Sequence, residues 1–164
     1  MSAASLVADS GPLIALARLD LLWLPARYFD SVLVTSSVWT EVTRKPREDE
    51  AARLSAAAGT KLFRVVPDPE TLPTTLLRAG IDVGERSALG LGLEMSATLL
   101  IDDRRARNVA VESGRPVIGT LGLLVRAREE GFITTLRPLT ERLTATGYFM
   151  PSDLVTKALA SLGE

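Results

Sequence analysis

The sequence predicts a single three-layer α/β/α domain with a short, mainly parallel central sheet. Three observations carry that prediction. Short runs that are apolar throughout, such as Leu6-Val7-Ala8, Val32-Leu33-Val34 and Leu99-Leu100-Ile101, alternate with longer segments of helical periodicity. Strands buried on both faces read this way, and strands separated by helices pair in parallel. Finally, 164 residues suit one domain, and no repeat, low-complexity run or linker divides them.

Residues 6–8 form a first strand that ends at Asp9. Ser10-Gly11-Pro12 then starts a helix, with Ser10 as its expected N-cap and Leu13, Ile14, Leu16, Ala17 and Leu19 as its apolar residues. A short helix or turn passes through Leu22, Trp23 and Leu24. Residues 32–34 form the second strand, and Ser36-Ser37 begins a helix through Val38, Trp39, Glu41 and Val42. The stretch 44–50 is charged and broken by Pro46, which places Glu48, Asp49 and Glu50 in solvent. A helix over 51–58 follows and Gly59 closes it.

Residues 62–66 form the third strand. The proline-containing stretch 67–80 is a loop with one short helical turn, and 82–95 is strongly helical. The fourth strand, 99–101, stops at Asp102-Asp103, and Arg104, Arg105 and Arg107 open a helix that ends at Gly114. Val117 and Ile118 form the last strand. Helices over 120–130 and 136–144 follow, then Gly147-Tyr148-Phe149-Met150. Pro151-Ser152 starts a final helix whose apolar stripe, Leu154, Val155, Ala158, Leu159 and Leu162, is expected to pack on the protein's own core.

Composition narrows the chemistry. With no cysteine there are no disulfides, thiolate nucleophiles or cysteine-bound zinc. The absence of histidine removes the Ser-His-Asp arrangement, the commonest general base and the commonest zinc ligand. A net charge of −1 means that any contact with nucleic acid comes from a local patch. Only 5% of residues are aromatic, so recognition of backbone and shape is expected over base stacking. The N-terminus lacks a positive n-region and no apolar run approaches the ~20 residues of a membrane span, so a cytoplasmic protein without membrane attachment is expected.

Acidic residues supply the remaining signal. In a parallel sheet, right-handed crossovers bring every strand's C-terminal end to one edge, where ligands bind. Asp9 and Asp102-Asp103 end strands, while Glu41 and Glu85 lie early in helices that follow strands. Glu41 shares a face with Val38 and Val42, and Glu85 heads the stripe of Ala88, Leu89, Gly92 and Leu93, so both are expected to point inward. Each acid also has a structural explanation. Asp82 and Glu85 fit a capping box, Asp9 and Asp103 fit caps, and Glu41 could pair with Arg44 or Lys45. Convergence of all five favours a cation, because clustered carboxylates repel one another. Oxygen ligands without histidine or cysteine point to Mg²⁺ or Mn²⁺, which typically work on phosphate esters.

These segments resemble the PIN-domain family of metal-dependent ribonucleases, particularly its VapC-like toxin branch. The likeness runs through VADSGPLIAL, SSVWTEV, DVGERSALGLGLE and LLIDDRRARNVAVESGRPVIGTLGLLVRAREEGFI, and YFMPSDLVTKAL resembles a sub-group of small PIN-like proteins. The resemblance implies that Asp9, Glu41, Glu85 and the Asp102-Asp103 pair occupy the four acidic positions, with glutamate at 85 where many members have aspartate. It also implies a homodimer blocked by a small antitoxin protein.

The expected activity is hydrolysis of an RNA phosphodiester by a metal-activated water, with Asp9 and Asp102 as ligands and Glu41, Glu85 and Asp103 completing the site. Ser10 and Thr120 are candidates for phosphate or water contact, or else plain N-caps. Arg104 and Arg107 are candidates for the RNA backbone, with Lys45 and Arg47 weaker ones. Two alternatives stand beside this. One is another Mg²⁺-dependent phosphoryl-transfer enzyme such as a phosphatase, against which Asp9 is followed by Ser10-Gly11-Pro12 and no second acid. The other is a PIN-like RNA-binding or interaction module with little or no turnover.

Overall fold

The structure is a computed structural model that describes residues 4–164; the first three residues, where the leader-free N-terminus was expected, lie outside it. Five parallel strands form one sheet: β1 (Ser5–Ala8), β2 (Ser31–Thr35), β3 (Arg64–Val66), β4 (Thr98–Leu100) and β5 (Val117–Ile118), in the order β3-β2-β1-β4-β5. Val7 lies opposite Leu33 on one side and Leu99 on the other. All three side chains are buried, as two-sided burial of apolar runs requires.

Helices flank the sheet in an α/β/α arrangement. α1 (Ser10–Leu19) follows β1, α2 (Ser36–Arg44) and α3 (Glu48–Ala57) follow β2, and α4 (Thr74–Leu77) and α5 (Val83–Glu94) follow β3. The last four are α6 (Arg104–Glu112), α7 (Thr120–Glu129), α8 (Arg137–Ala145) and α9 (Ser152–Ser161). α5 packs against β1, β2 and β4. The chain begins at the sheet's centre, steps outward to β3, then returns to β1's other side with β4. Direction therefore reverses between β1 and β4, which opens a crevice at their C-terminal ends. Among the described residues no helix is long and apolar enough to cross a membrane.

Three local expectations change. Glu50 is not solvated: it is 3% exposed, with its carboxylate 2.6 Å from Arg18 Nε and accepting the Arg47 N–H at 3.3 Å. A charge is buried stably when an opposite charge and hydrogen bonds compensate its lost hydration, and α1 and the start of α3 supply both. α3 accordingly begins at Glu48, earlier than its apolar pattern suggested. Ser10 is not a cap but the first residue of α1, preceded by Asp9 in extended conformation with no side-chain capping bond. Finally, α9 buries Leu159 and half-buries Val155, Ala158 and Leu162 against the core, but Leu154 is exposed.

Candidate metal centre

Asp9 is placed where the sheet reverses. Its N–H donates to Leu100 O at 3.0 Å, tying the ends of β1 and β4 together. The side chain is only 5% exposed, and its Oδ1 is buried without a hydrogen-bond partner. Burial pushes the carboxyl up to about 7, with the charges of Glu85, Asp82 and Glu41 adding to the effect and the Ser10 backbone N–H opposing it. An orphaned oxygen of this kind is costly unless something unoccupied by protein meets it.

Asp102 lies just past β4, half-buried, and its carboxylate is held from three directions. Oδ1 accepts the Thr120 N–H at 2.7 Å, Oδ2 accepts the Thr120 hydroxyl at 2.6 Å, and the Tyr148 hydroxyl donates to Oδ2 as well. Burial, and then the adjacent Asp102 charge, push the Tyr148 phenol well above its ordinary range, so it remains a donor. Asp103 is exposed and caps α6, with Oδ1 accepting the Ala106 N–H at 2.9 Å. Of the pair, Asp102 is the inward member.

Asp82 and Glu85 form the expected capping box at the start of α5. Asp82 Oδ1 accepts Glu85 N–H at 2.8 Å, and Glu85 Oε2 accepts Asp82 N–H at 2.9 Å. Burial nevertheless pushes the Glu85 carboxyl up, opposed by that Asp82 N–H and reinforced by the charges of Asp82, Asp103 and Glu41. Glu41 corrects an expectation. It is exposed, since Val38 and Val42 take the buried positions of α2, and among the described residues it pairs with neither Arg44 nor Lys45. It reaches the cluster across Gly84 instead: a Cβ there would stand 2.7 Å from Glu41 Oε2.

The remaining candidates divide. Thr120 is buried and serves Asp102; the cap of α7 is Gly119, so the N-cap reading of Thr120 falls. Arg107 Nη1 donates to Ile101 O at 2.9 Å, bracing the strand end. Arg104 is exposed at the start of α6, while Arg105 Nη1 donates to Gly80 O at 3.0 Å. Beside the acids runs a polar groove of about 510 Å³, lined by Ser36, Ser37, Thr40, Glu41, Arg44, Asp68, Asp82, Val83 and Gly84. Burial raises Asp68, but hydrogen bonds from Ser37, Ser87 and Thr35 outweigh it and leave the carboxyl below its ordinary range. A larger hollow of about 820 Å³ lies at the opposite edge, by the starts of β2 and β3, away from the acidic cluster.

Among the described residues no three acids converge closely enough to ligate a metal as they stand. Mg²⁺, however, keeps several waters and is commonly held by only one or two carboxylates. The orphaned Asp9 oxygen, the raised Glu85 carboxyl that acts on it and an all-oxygen donor set fit such a cation. Sequence reasoning missed Tyr148, whose bond to Asp102 spans 46 residues and leaves no periodic trace. It also treated Asp82 only as a cap, although its charge bears on both Asp9 and Glu85.

Fold and crevice together define a parallel α/β domain with an acidic site at its switch point. Residues 5–164 match the PIN-domain family, and the chain belongs to it. Among solved structures, it is similar to a PilT N-terminus domain protein from the hyperthermophilic archaeon Sulfolobus solfataricus P2, with 15% identity and a TM-score of 0.54 over 75% of this chain and 92% of that one. It is also similar to PAE2754 from Pyrobaculum aerophilum, with 20% identity and a TM-score of 0.50 over 75% and 88%. At such identities the likeness is one of fold. No curated protein matches the sequence.

Proposed function

We propose that the protein is an Mg²⁺- or Mn²⁺-dependent endoribonuclease that cleaves RNA phosphodiester bonds at the β1/β4 crevice. The buried, unpartnered Asp9 carboxylate oxygen carries this reading, and membership of a family typically made of nucleases supports it. Asp9 and Asp102 hold the cation, and Glu41, Glu85 and Asp103 accept protons or orient water at the rim. A divalent cation held by these residues would supply Lewis-acid stabilisation of the phosphate and a lowered water pKa. Arg104 and the hydroxyl-lined groove beside α2 offer contacts to the RNA backbone, while Arg107 keeps Ile101 and Asp102 in place. The biological role we infer is that of a toxin acting as a homodimer in the cytoplasm and restrained by a small antitoxin protein; the resemblance alone supports it.

One observation favours a second reading, an RNA-binding module without turnover: Asp102, Asp103 and Glu85 all find internal hydrogen bonds without a cation. A cleavage assay separates the two. Purified protein with Mn²⁺ should cut single-stranded RNA and Asp9→Asn should reduce the rate at least about 100-fold, whereas equal residual activity in both would remove the nuclease reading. A small neighbouring gene whose product binds the protein and blocks cleavage would support the toxin role.

A further inference from the structure

The Asp102 carboxylate is more constrained than a metal ligand needs to be for packing alone. A carboxylate offers about four acceptor sites. Thr120 and Tyr148 fill both on Oδ2, and the Thr120 N–H fills one on Oδ1. The one site left is therefore on Oδ1. Two glycines keep this arrangement possible. A Cβ at Gly119 would stand 3.1 Å from Oδ1, and a Cβ at Gly11 would stand 3.3 Å from the Tyr148 hydroxyl. Tyr148 comes from the loop between α8 and α9, so the C-terminal helical pair reaches into the crevice.

We propose that Tyr148 is a positioning residue of the metal centre: its hydroxyl pins Asp102 Oδ2, so that Asp102 meets a divalent cation through Oδ1 alone and without reorienting. The inference rests on the reading of Asp9 and Asp102 as a cation site. Hydrogen-bond partners that orient a ligand typically account for 10- to 100-fold in metal affinity.

The test is Mn²⁺ titration of the metal-free full chain by calorimetry at pH 8, well below each variant's melting temperature. Tyr148→Phe should bind Mn²⁺ about 10- to 100-fold more weakly than wild type. Phe149→Ala, at the adjacent and 84% exposed position, should bind as wild type does. Should Tyr148→Phe not fold, Gly11→Ala crowds the hydroxyl while keeping the ring, shifting it by a few tenths of an ångström, and should weaken binding in the same direction. A merely structural role for Tyr148 would lower the melting temperature and leave Mn²⁺ affinity unchanged, which overturns the proposal. Tighter binding by Tyr148→Phe overturns it too, since the phenol would then be a competitor of the cation. No Mn²⁺ binding by wild type would instead defeat the cation site itself.

Discussion

Asp9 sets two demands against each other, because burial favours its neutral form while the proposed ligation needs the anion. Its carboxyl moves from an ordinary 3.8 to about 7 in the folded protein. Between those pH values the folded state keeps a proton that the unfolded chain has released. Stability from this group is thus complete below about pH 4 and declines as pH rises through 7, by up to about 4 kcal/mol. Glu85, also raised, acts in the same direction, whereas the lowered Asp68 acts only at more acidic pH. The metal-free protein should therefore lose urea resistance between pH 4 and 7.5, and Asp9→Asn should flatten that slope. Equal slopes would place the titration elsewhere. At this scale the sequence was informative where chemistry follows from position in an element: strand ends gave Asp9 and Asp102, and local spacing gave the caps at Asp82, Glu85 and Asp103. It was uninformative where a side chain depends on a distant partner. Glu50 is buried by Arg18, 32 residues away, and Tyr148 is tied to Asp102. Glu41 shows that helical phase gives a face but not a depth.

Between elements, two contacts set how closely the layers approach. α5 crosses β4 at Gly92, where a Cβ would stand 2.7 Å from Leu99 Cδ2 and 3.1 Å from Leu99 Cγ. A glycine inside a helix costs roughly 0.5–1 kcal/mol relative to alanine, so its presence here reflects that close approach rather than helix propensity. Because Leu99 is fully buried and cannot swing away, Gly92→Ala should destabilise by about 1–3 kcal/mol in spite of its better propensity, measurable by urea denaturation. A stabilised variant would show that α5 can lift off the sheet. The second contact is the Arg18–Glu50 pair joining α1 to α3. Glu50→Ala leaves a half-buried guanidinium partly uncompensated and should cost about 2–3 kcal/mol, while Glu50→Gln should retain part of that through hydrogen bonding. Periodicity located the helices well because their apolar stripes are long. It placed the start of α3 late because that first turn is held by the Glu50 bonds, which a hydropathy pattern does not record.

Across the whole molecule, function depends on the order of strands. Continuous apolar runs implied parallel pairing, but nothing local states that β1 is central or that β4 returns beside it. That return is what sets Asp9 next to the β4 end and brings the α5 acids toward the same crevice. The proposed cation site is therefore one that only the completed fold can assemble, and binding to it should stabilise the fold by mass action. At a Mn²⁺ concentration 100 times its Kd the gain is about 2.7 kcal/mol, or roughly 5–10 °C in melting temperature for a domain of this length. Asp102→Asn combined with Asp103→Asn should show little of that rise, and an equal rise would mean that the acids do not act together. The Asp9 proton adds a second signature. Since ligation requires the anion, Mn²⁺ must displace a proton below about pH 7, and apparent affinity should climb about tenfold per pH unit up to that point before levelling off. A melting-temperature shift that grows from pH 5 to pH 7 and then plateaus would tie the cation to the raised carboxyls of the crevice, Asp9 foremost, and a shift independent of pH would place the cation elsewhere.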